Sequence, residues 1–560
     1  YSNDKRRYIF PPSSSENPMG LIDVQLLSTQ LIDHNFQLNA NKDFGQLTTN
    51  FILGQNFNGT DYSRTGIVGE NMSAYSFHQL NNTTDYTPDE YEEKIRTIST
   101  YSNLTFGINH AYLTVGLSRD GSSTFGIDNR FSTFPRASFS WRFSDKFRLP
   151  IVSKGLLRAA WGRAGSEPDA YLTKSAFFLS SFSDGWGPEL SSNYNGYGGF
   201  VSGTTKPNPD IKPELVTELE YGMDVGLLND KVNLSLTSYT QTTEDAILYV
   251  PAAPTTGYAY ELQNAATIEN KGLEISLNAD IIQTTNQSFS TEVNYSHNNN
   301  IVTSLAGSEN ISIGGFAGAA AHAVEGEPYG ILRGNDWLYD SDSKYILDEN
   351  GFPQMNPEET IIGDPNPDWL GSIRFSYKFK STLRLSALFD IKYGGDIWNG
   401  TKGALYYFGA HEETTLQTTV PFYIKNQTEK TTGLKTWYEG EDVGSFNVAH
   451  TIDNGDGTLT FRGYLDDFGD GLVAVTEEAY YSGPFSGFTG PASQFVEDGS
   501  YMKLREISLS YLYTGYLIKT FGIQSLDFSL SMRNIYTWTN YSGIDPETNL
   551  AGTSNIRGLD

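Results

Sequence analysis

From Leu215 the chain alternates with a period of two. Leu215, Thr217, Leu219, Tyr221, Met223, Val225 and Leu227 fall on one parity, and Val216, Glu218, Glu220, Gly222, Asp224 and Gly226 on the other. Successive side chains of a strand point to opposite faces, so the pattern predicts a strand with one mostly apolar and one mostly polar face. Asn229-Asp230 supplies a tight turn. Beyond it, Val232, Leu234 and Leu236 alternate with Asn233, Ser235 and Thr237 as the returning strand. The figure recurs. Seven hairpins are predicted, pairing 34–41 with 46–56, 95–106 with 111–118, 135–143 with 156–162, 215–227 with 231–240, 272–280 with 288–297, 371–379 with 383–393, and 502–513 with 525–538. In the cleanest of them, Ile373, Phe375, Tyr377 and Phe379 alternate with Arg374, Ser376, Lys378 and Lys380, and Leu383 opens the partner strand after Ser381-Thr382.

Connections within hairpins are mostly short, and those between hairpins are long: 57–94, 163–214, 241–271, 298–370 and 394–501. Soluble domains rarely carry structureless loops beyond about 15 residues. Outer-membrane barrels combine short periplasmic turns with long extracellular loops. The expected fold is therefore all-β, a large antiparallel transmembrane β-barrel with long extracellular loops. Its apolar parity would meet lipid and its polar parity the lumen. Trp161, Tyr536 and Trp538 fall near outer strand ends, where an aromatic girdle would sit. Tyr536 and Trp538 share a parity with Leu526, Phe528 and Leu530, as a girdle requires, whereas Tyr239 shares the polar parity and should point inward.

Composition narrows the function. There are no cysteines, which removes disulfides, thiolate metal sites and cysteine nucleophiles together. Net charge is −28, the wrong sign for a nucleic-acid partner. Mean hydropathy is −0.39 and no run of about 18 apolar residues occurs, so helical membrane spans are not expected. Barrel strands are only half apolar and escape that test. The chain opens at Tyr1 without a signal peptide, as a mature or partial sequence would. The small, apolar Gly314–Ala321 stretch is expected to be a close packing point.

Enzyme chemistry finds no support. There is no G-x-S-x-G, phosphate-binding loop or H-E-x-x-H. His34, His78, His110, His297, His322, His411 and His450 are scattered without ligand spacing, so no metal site is expected. Asp453-Asn454-Gly455-Asp456-Gly457 and Asp466-Asp467-Phe468-Gly469-Asp470 could offer oxygens to calcium, but neither fits the twelve-residue calcium loop. They read as solvated loops, and no cofactor is expected. The remaining candidates are aromatics between the hairpins. Trp186, Trp337, Trp398, Tyr406, Tyr407 and Phe408 are the candidate substrate-binding residues, since flat rings stack on sugars or pack on peptide side chains. The competing reading is that they anchor the loops to one another. Trp369, two residues before a strand, is the least suited to substrate contact.

Several stretches together carry a family resemblance. Leu117–Phe143 reads LSRDGSSTFGIDNRFSTFPRASFSWRF, Leu157–Gly165 LRAAWGRAG, Asn208–Leu219 NPDIKPELVTEL, and Ile268–Leu277 IENKGLEISL. Ile362–Gly371 reads IGDPNPDWLG, Tyr393–Asn399 YGGDIWN, Phe495–Leu509 FVEDGSYMKLREISL, and Arg533–Asn549 RNIYTWTNYSGIDPETN. In this order they resemble the SusC/RagA family of TonB-dependent outer-membrane transporters, from about Leu104 onward. The resemblance implies that residues 1–560 are one partial TonB-dependent receptor β-barrel domain, about 14 strands of a 22-stranded type. A plug, a TonB-contacting N-terminal segment and a last strand would lie outside this sequence, giving a polypeptide well above 62.1 kDa.

The resemblance further implies uptake of a large nutrient, an oligosaccharide or peptide, with energy from TonB. Its implied partners are a SusD-like surface lipoprotein acting as a lid, the TonB complex and the lipid bilayer of the bacterial outer membrane. Segments 298–370 and 394–501 would form most of the lid contact, and deleting 412–490 should release the lipoprotein. The alternative is a SusC-like barrel serving as a structural subunit of a larger assembly with other outer-membrane proteins.

Overall fold

A computed structural model describes residues 1–13, 17–147, 149–179, 181–182, 190–191, 200–316, 318–349, 351–380, 382–421, 434–435, 452–456, 458–481, 483–550 and 556–560. Fifteen long strands follow one another in hydrogen-bonded order along one sheet. They are β1 (Ser2–Phe10), β2 (Leu21–Phe44), β3 (Leu47–Met72), β4 (Thr83–Ile108), β5 (Ala111–Ser122), β6 (Phe131–Trp141), β7 (Val152–Ser166) and β8 (Glu214–Leu227). There follow β9 (Val232–Pro251), β10 (Tyr260–Gln283), β11 (Gln287–Ser304), β12 (Trp369–Phe379), β13 (Leu383–Tyr393), β14 (Tyr501–Tyr513) and β15 (Leu526–Thr539). No described helix is long and apolar enough to cross a membrane.

The chain divides into two compact units. The first comprises Tyr1–Arg148, Leu156–Gly222 and Thr240–Thr267. In it β1 to β7 pair antiparallel in succession. The registers align like residues into rows. Ala40, Phe51, Leu104, Val115, Ala137 and Trp161 lie side by side across β2–β7. Phe51, Val115 and Trp161 are 38%, 40% and 40% exposed, so this face has no internal cover. The opposite face carries the row Asn41, Asn50, Thr105, Thr114 and Ser138. Its side chains pair with each other, as Thr105 and Thr114 do at 2.9 Å.

The second unit comprises Leu149–Gly155, Met223–Tyr239 and Ile268–Asp560. Here β11 to β15 pair antiparallel. Phe289, Tyr377, Leu385, Leu509 and Leu530 form an apolar row. The polar parity is ion-paired instead, with Arg374 Nε 3.9 Å from Glu292 and Arg533 Nε 3.2 Å from Glu506. The apolar and polar parities are segregated as the alternation predicts. Leu219 and Tyr221 are exposed on the odd parity of β8, while Glu220 on the other takes Arg158 at 2.6 Å. Tyr536 and Trp538 are exposed neighbours 4.7 Å apart. Tyr239 lies over Gly272, where a Cβ would come within 2.2 Å of its ring, and its hydroxyl meets Asn298 at 3.2 Å.

All seven hairpins are present, but their strands run further than expected. β3 continues to Met72 and β4 begins at Thr83, so most of the predicted loop 57–94 is strand. Likewise β9 reaches Pro251 and β10 starts at Tyr260, shortening 241–271 to a brief turn. β1 was not expected at all. The reason is physical. Alternation appears where one face meets an apolar phase. Where both faces are polar, as in Asn58–Arg64, only the backbone ladder persists, and it leaves no mark on side-chain choice.

The described parts of 298–370 are folded as well. Within 298–370 the strands Asn310–Phe316, Ala319–Val324, Ile331–Gly334 and Thr360–Gly363 form a four-stranded sheet. The Gly314–Ala321 packing point lies in it: a Cβ on Gly315 would be 2.3 Å from that of Ala320, and Gly318 has φ +87° at the turn.

Candidate functional site

Segments 298–370 and 394–501 share one hydrophobic core. The YGGDIWN stretch builds it. Gly394 and Gly395 hold φ +76° and +86°, and a Cβ on Gly394 would meet Asp368 at 2.8 Å, so the turn out of β13 needs glycine. Asp396 Oδ2 accepts the Asp364 amide at 2.8 Å, joining this motif to IGDPNPDWLG. The strand Asp396–Trp398 then pairs with Val496–Asp498. Asn399, fully buried, caps helix α1 (Gly400–Tyr407) by accepting the Lys402 amide at 2.9 Å. Its Nδ2 donates to Glu497 and Ser542, at 3.3 and 3.2 Å.

Trp398 is 1% exposed and packs in one cluster with Tyr406, Val473, Val475, Tyr480, Phe495 and Leu559. Tyr406 meets Tyr480 and Phe495 edge-on at 5.0 and 5.7 Å. Its hydroxyl donates to Glu413, and burial first, then that hydrogen bond, pushes the phenol pKa up. Trp337 is 7% exposed, with Phe485 and Tyr345 rings at 5.8 and 6.1 Å. These three candidates are thus buried among other side chains of the loops. Tyr407 and Phe408 differ. They are 41% and 73% exposed, lie edge-on at 5.2 Å, and Tyr407 also meets exposed Phe488 at 4.8 Å. Trp186 lies outside the described residues. Trp369 stacks on Tyr393 at 5.6 Å and serves the scaffold.

A second cluster ties the last loop to β13 and β14. Lys503 is 3% exposed and contacts Asp545 at 2.5 Å and Glu547 at 2.7 Å. Arg505 bridges Asp390 at 2.7 Å and Glu547, whose carboxylate also accepts the Tyr501 hydroxyl at 2.9 Å. These donors, Arg505 foremost, hold the Glu547 carboxyl down at about 2. Sequence reading missed this cluster. Its signal lay in two of the quoted stretches, where Lys503 on polar parity and Arg505 beside it sit just after a long loop.

Beside it is a cavity of about 370 Å3, lined among others by Pro365, Leu370, Lys392, Tyr501, Glu547 and Arg557. Among the described residues, no group of three or more histidines or acids is placed to hold a metal. Asp456 and Asp467 accept neighbouring backbone amides of their own turns instead. His322 is buried in the four-stranded sheet, and desolvation lowers its pKa.

Comparison with known proteins agrees with this architecture. Residues 1–320 match the family model described as TonB dependent receptor-like, beta-barrel. TonB-dependent receptor P3 of Formosa agariphila is 25% identical over 578 residues, covering 95% of this chain and 51% of that protein. TonB-dependent receptor SusC of Bacteroides thetaiotaomicron is 26% identical over 301 residues, 48% of this chain and 28% of that one. The chain thus spans about half the length of the first relatives it matches, or less. A solved structure described as the RagAB peptide transporter superposes with TM-score 0.73 at 17% identity, covering 100% of this chain and 57% of that one. The fold is that of a partial antiparallel β-barrel, and the chain belongs to the TonB-dependent receptor β-barrel family, within which it resembles the SusC/RagA transporters.

Proposed function

We propose that the whole protein is a SusC-like transporter that imports a large nutrient, an oligosaccharide or peptide, across the bacterial outer membrane. Energy comes from TonB through a part of the protein outside this sequence. The long connections face the cell exterior, and a SusD-like surface lipoprotein sits over them as a hinged lid. The supporting observation is the exposed ring cluster Tyr407, Phe408 and Phe488 on a folded loop core. Exposed aromatics on a rigid base are typical of contact surfaces. Buried Trp337, Trp398 and Tyr406 hold that base in shape, so direct contact is assigned to Tyr407 and Phe408.

The test is purification of the native complex from cells carrying Tyr407→Ala, Phe408→Ala and Phe488→Ala together. A lipoprotein should co-purify with the unaltered protein in equal amount and be lost from the triple variant, with the barrel still folded. Absence of any lipoprotein from the unaltered complex, with other outer-membrane proteins present instead, would turn the assignment to a structural subunit. Deleting 412–490 is a poorer test, because it removes Val473, Val475, Ala479 and Tyr480 from the core itself.

A further inference from the structure

The cavity beside β13 and β14 has an electrostatic character at odds with a chain of net charge −28. Two cations line it, Lys392 and Arg557. Among the described residues, neither side chain has an ion pair or a hydrogen bond. The one carboxylate in the wall, Glu547, is already saturated by Lys503, Arg505 and Tyr501. Asp396 and Asp498 are the next acids near Lys392, but they stand outside the lining and are engaged with the Asp364 amide and with Ser500. A half-buried ammonium held in no direct ion pair is costly, and a lysine and an arginine opening on one cavity form a receptor for an anion. The rest of the wall is largely apolar, with Pro365, Pro367, Leu370, Ile397 and Pro546.

We infer that this cavity is a subsite for a small amphipathic carboxylate. The carboxylate lies between Lys392 Nζ and the Arg557 guanidinium, and the apolar body rests on the proline wall. Leu370, Lys392 and Tyr501 share the polar parity of β12–β14 at the end where the long connections begin. The inference rests on the transporter reading for one point only: on that reading, this parity faces the path of the incoming ligand.

The test uses saturation-transfer NMR on the detergent-purified full-length protein with three probes. N-acetyl-leucine carries both features, N-acetyl-leucinamide lacks the charge, and galacturonate lacks the apolar body. N-acetyl-leucine should bind, the amide should bind roughly tenfold more weakly or not at all, and binding should fall with added salt. Lys392→Met and Arg557→Gln should each weaken N-acetyl-leucine by roughly tenfold, while Lys392→Arg retains it. Arg557 is exposed, so its variant tests the site without risk to folding. Equal binding of acid and amide, indifference to both substitutions, or no binding of N-acetyl-leucine overturns the inference. Galacturonate binding as well as N-acetyl-leucine overturns the apolar part. Loss of the lipoprotein partner or of nutrient uptake bears on the transporter reading and leaves these binding results unaffected.

Discussion

The row Ala40, Phe51, Leu104, Val115, Ala137 and Trp161 and the cluster around Trp398 are both apolar, yet they meet opposite fates. Phe51, Val115 and Trp161 of the row stay 38–40% exposed, whereas Trp398 and Phe495 are each 1% exposed. The same driving force acts on both, since apolar surface leaves water wherever it can. The cluster supplies its own cover from three chain segments, 298–370, 394–501 and 556–560. The row lies on a single sheet with a hydrogen-bonded polar face behind it, and needs an apolar phase from outside. Burial alone would call the first region well folded and the second half finished. Each is complete for a different surrounding.

The sharpest way to break this comparison is to damage one region and watch the other. Trp398→Ala should cost about 3–5 kcal/mol, the usual range for emptying a large aromatic site. It should appear as new protease cleavage between 400 and 500, with resistance of the barrel to heat in detergent unchanged. Joint loss of both would show that the two regions fold as one. Leu219→Arg is the reciprocal change, with an expected cost of about 2–4 kcal/mol near the bilayer midplane. Reduced outer-membrane assembly should follow, and unaltered heat resistance would mean that the odd parity of β8 does not meet lipid.

Acid sharpens the comparison at the joint between strands and loops. Glu547 titrates at about 2, below its ordinary 4.5. Its contribution is therefore fully present above about pH 4.5 and is lost as pH falls through about 2. Proteolysis of 540–550 should rise across that window in the unaltered protein. Glu547→Gln should show the same accessibility at neutral pH with no further acid step. The smallest effect is expected at Tyr239, where replacement by Ala should cost about 0.5–1.5 kcal/mol by uncovering Gly272. Hydrogen exchange at the amides of β9 and β10 would register it.

Legibility in the sequence follows the same division. The hairpins could be read because a two-phase environment imprints period two on side chains, as in Ile373–Phe379. The outer parts of β3 and β4 could not, because a strand solvated on both faces pairs through its backbone alone. The loop core was visible only as motifs. Nothing local distinguishes a tryptophan that greets a ligand from one that fills a core, so Trp398 and Phe408 read alike until their neighbours are known. The Lys503–Glu547 cluster was hidden for a related reason: its members lie more than 40 residues apart and meet only when β15 has paired with β14.

Residues 558–560 close over Trp398. Its amide donates to Gly558 O at 2.8 Å, the Asp560 amide donates to its carbonyl at 3.0 Å, and Leu559 is buried against the cluster. These partners are separated by roughly 160 residues of sequence, a closure whose entropy must be met before any contact rewards it. The consequence is one of timing. Each hairpin can form as soon as its own turn is made, but the aromatic core has no roof until residues 558–560 have been made. Until then Trp398 and Phe495 remain sticky surfaces, and a nascent chain would need escort over that period.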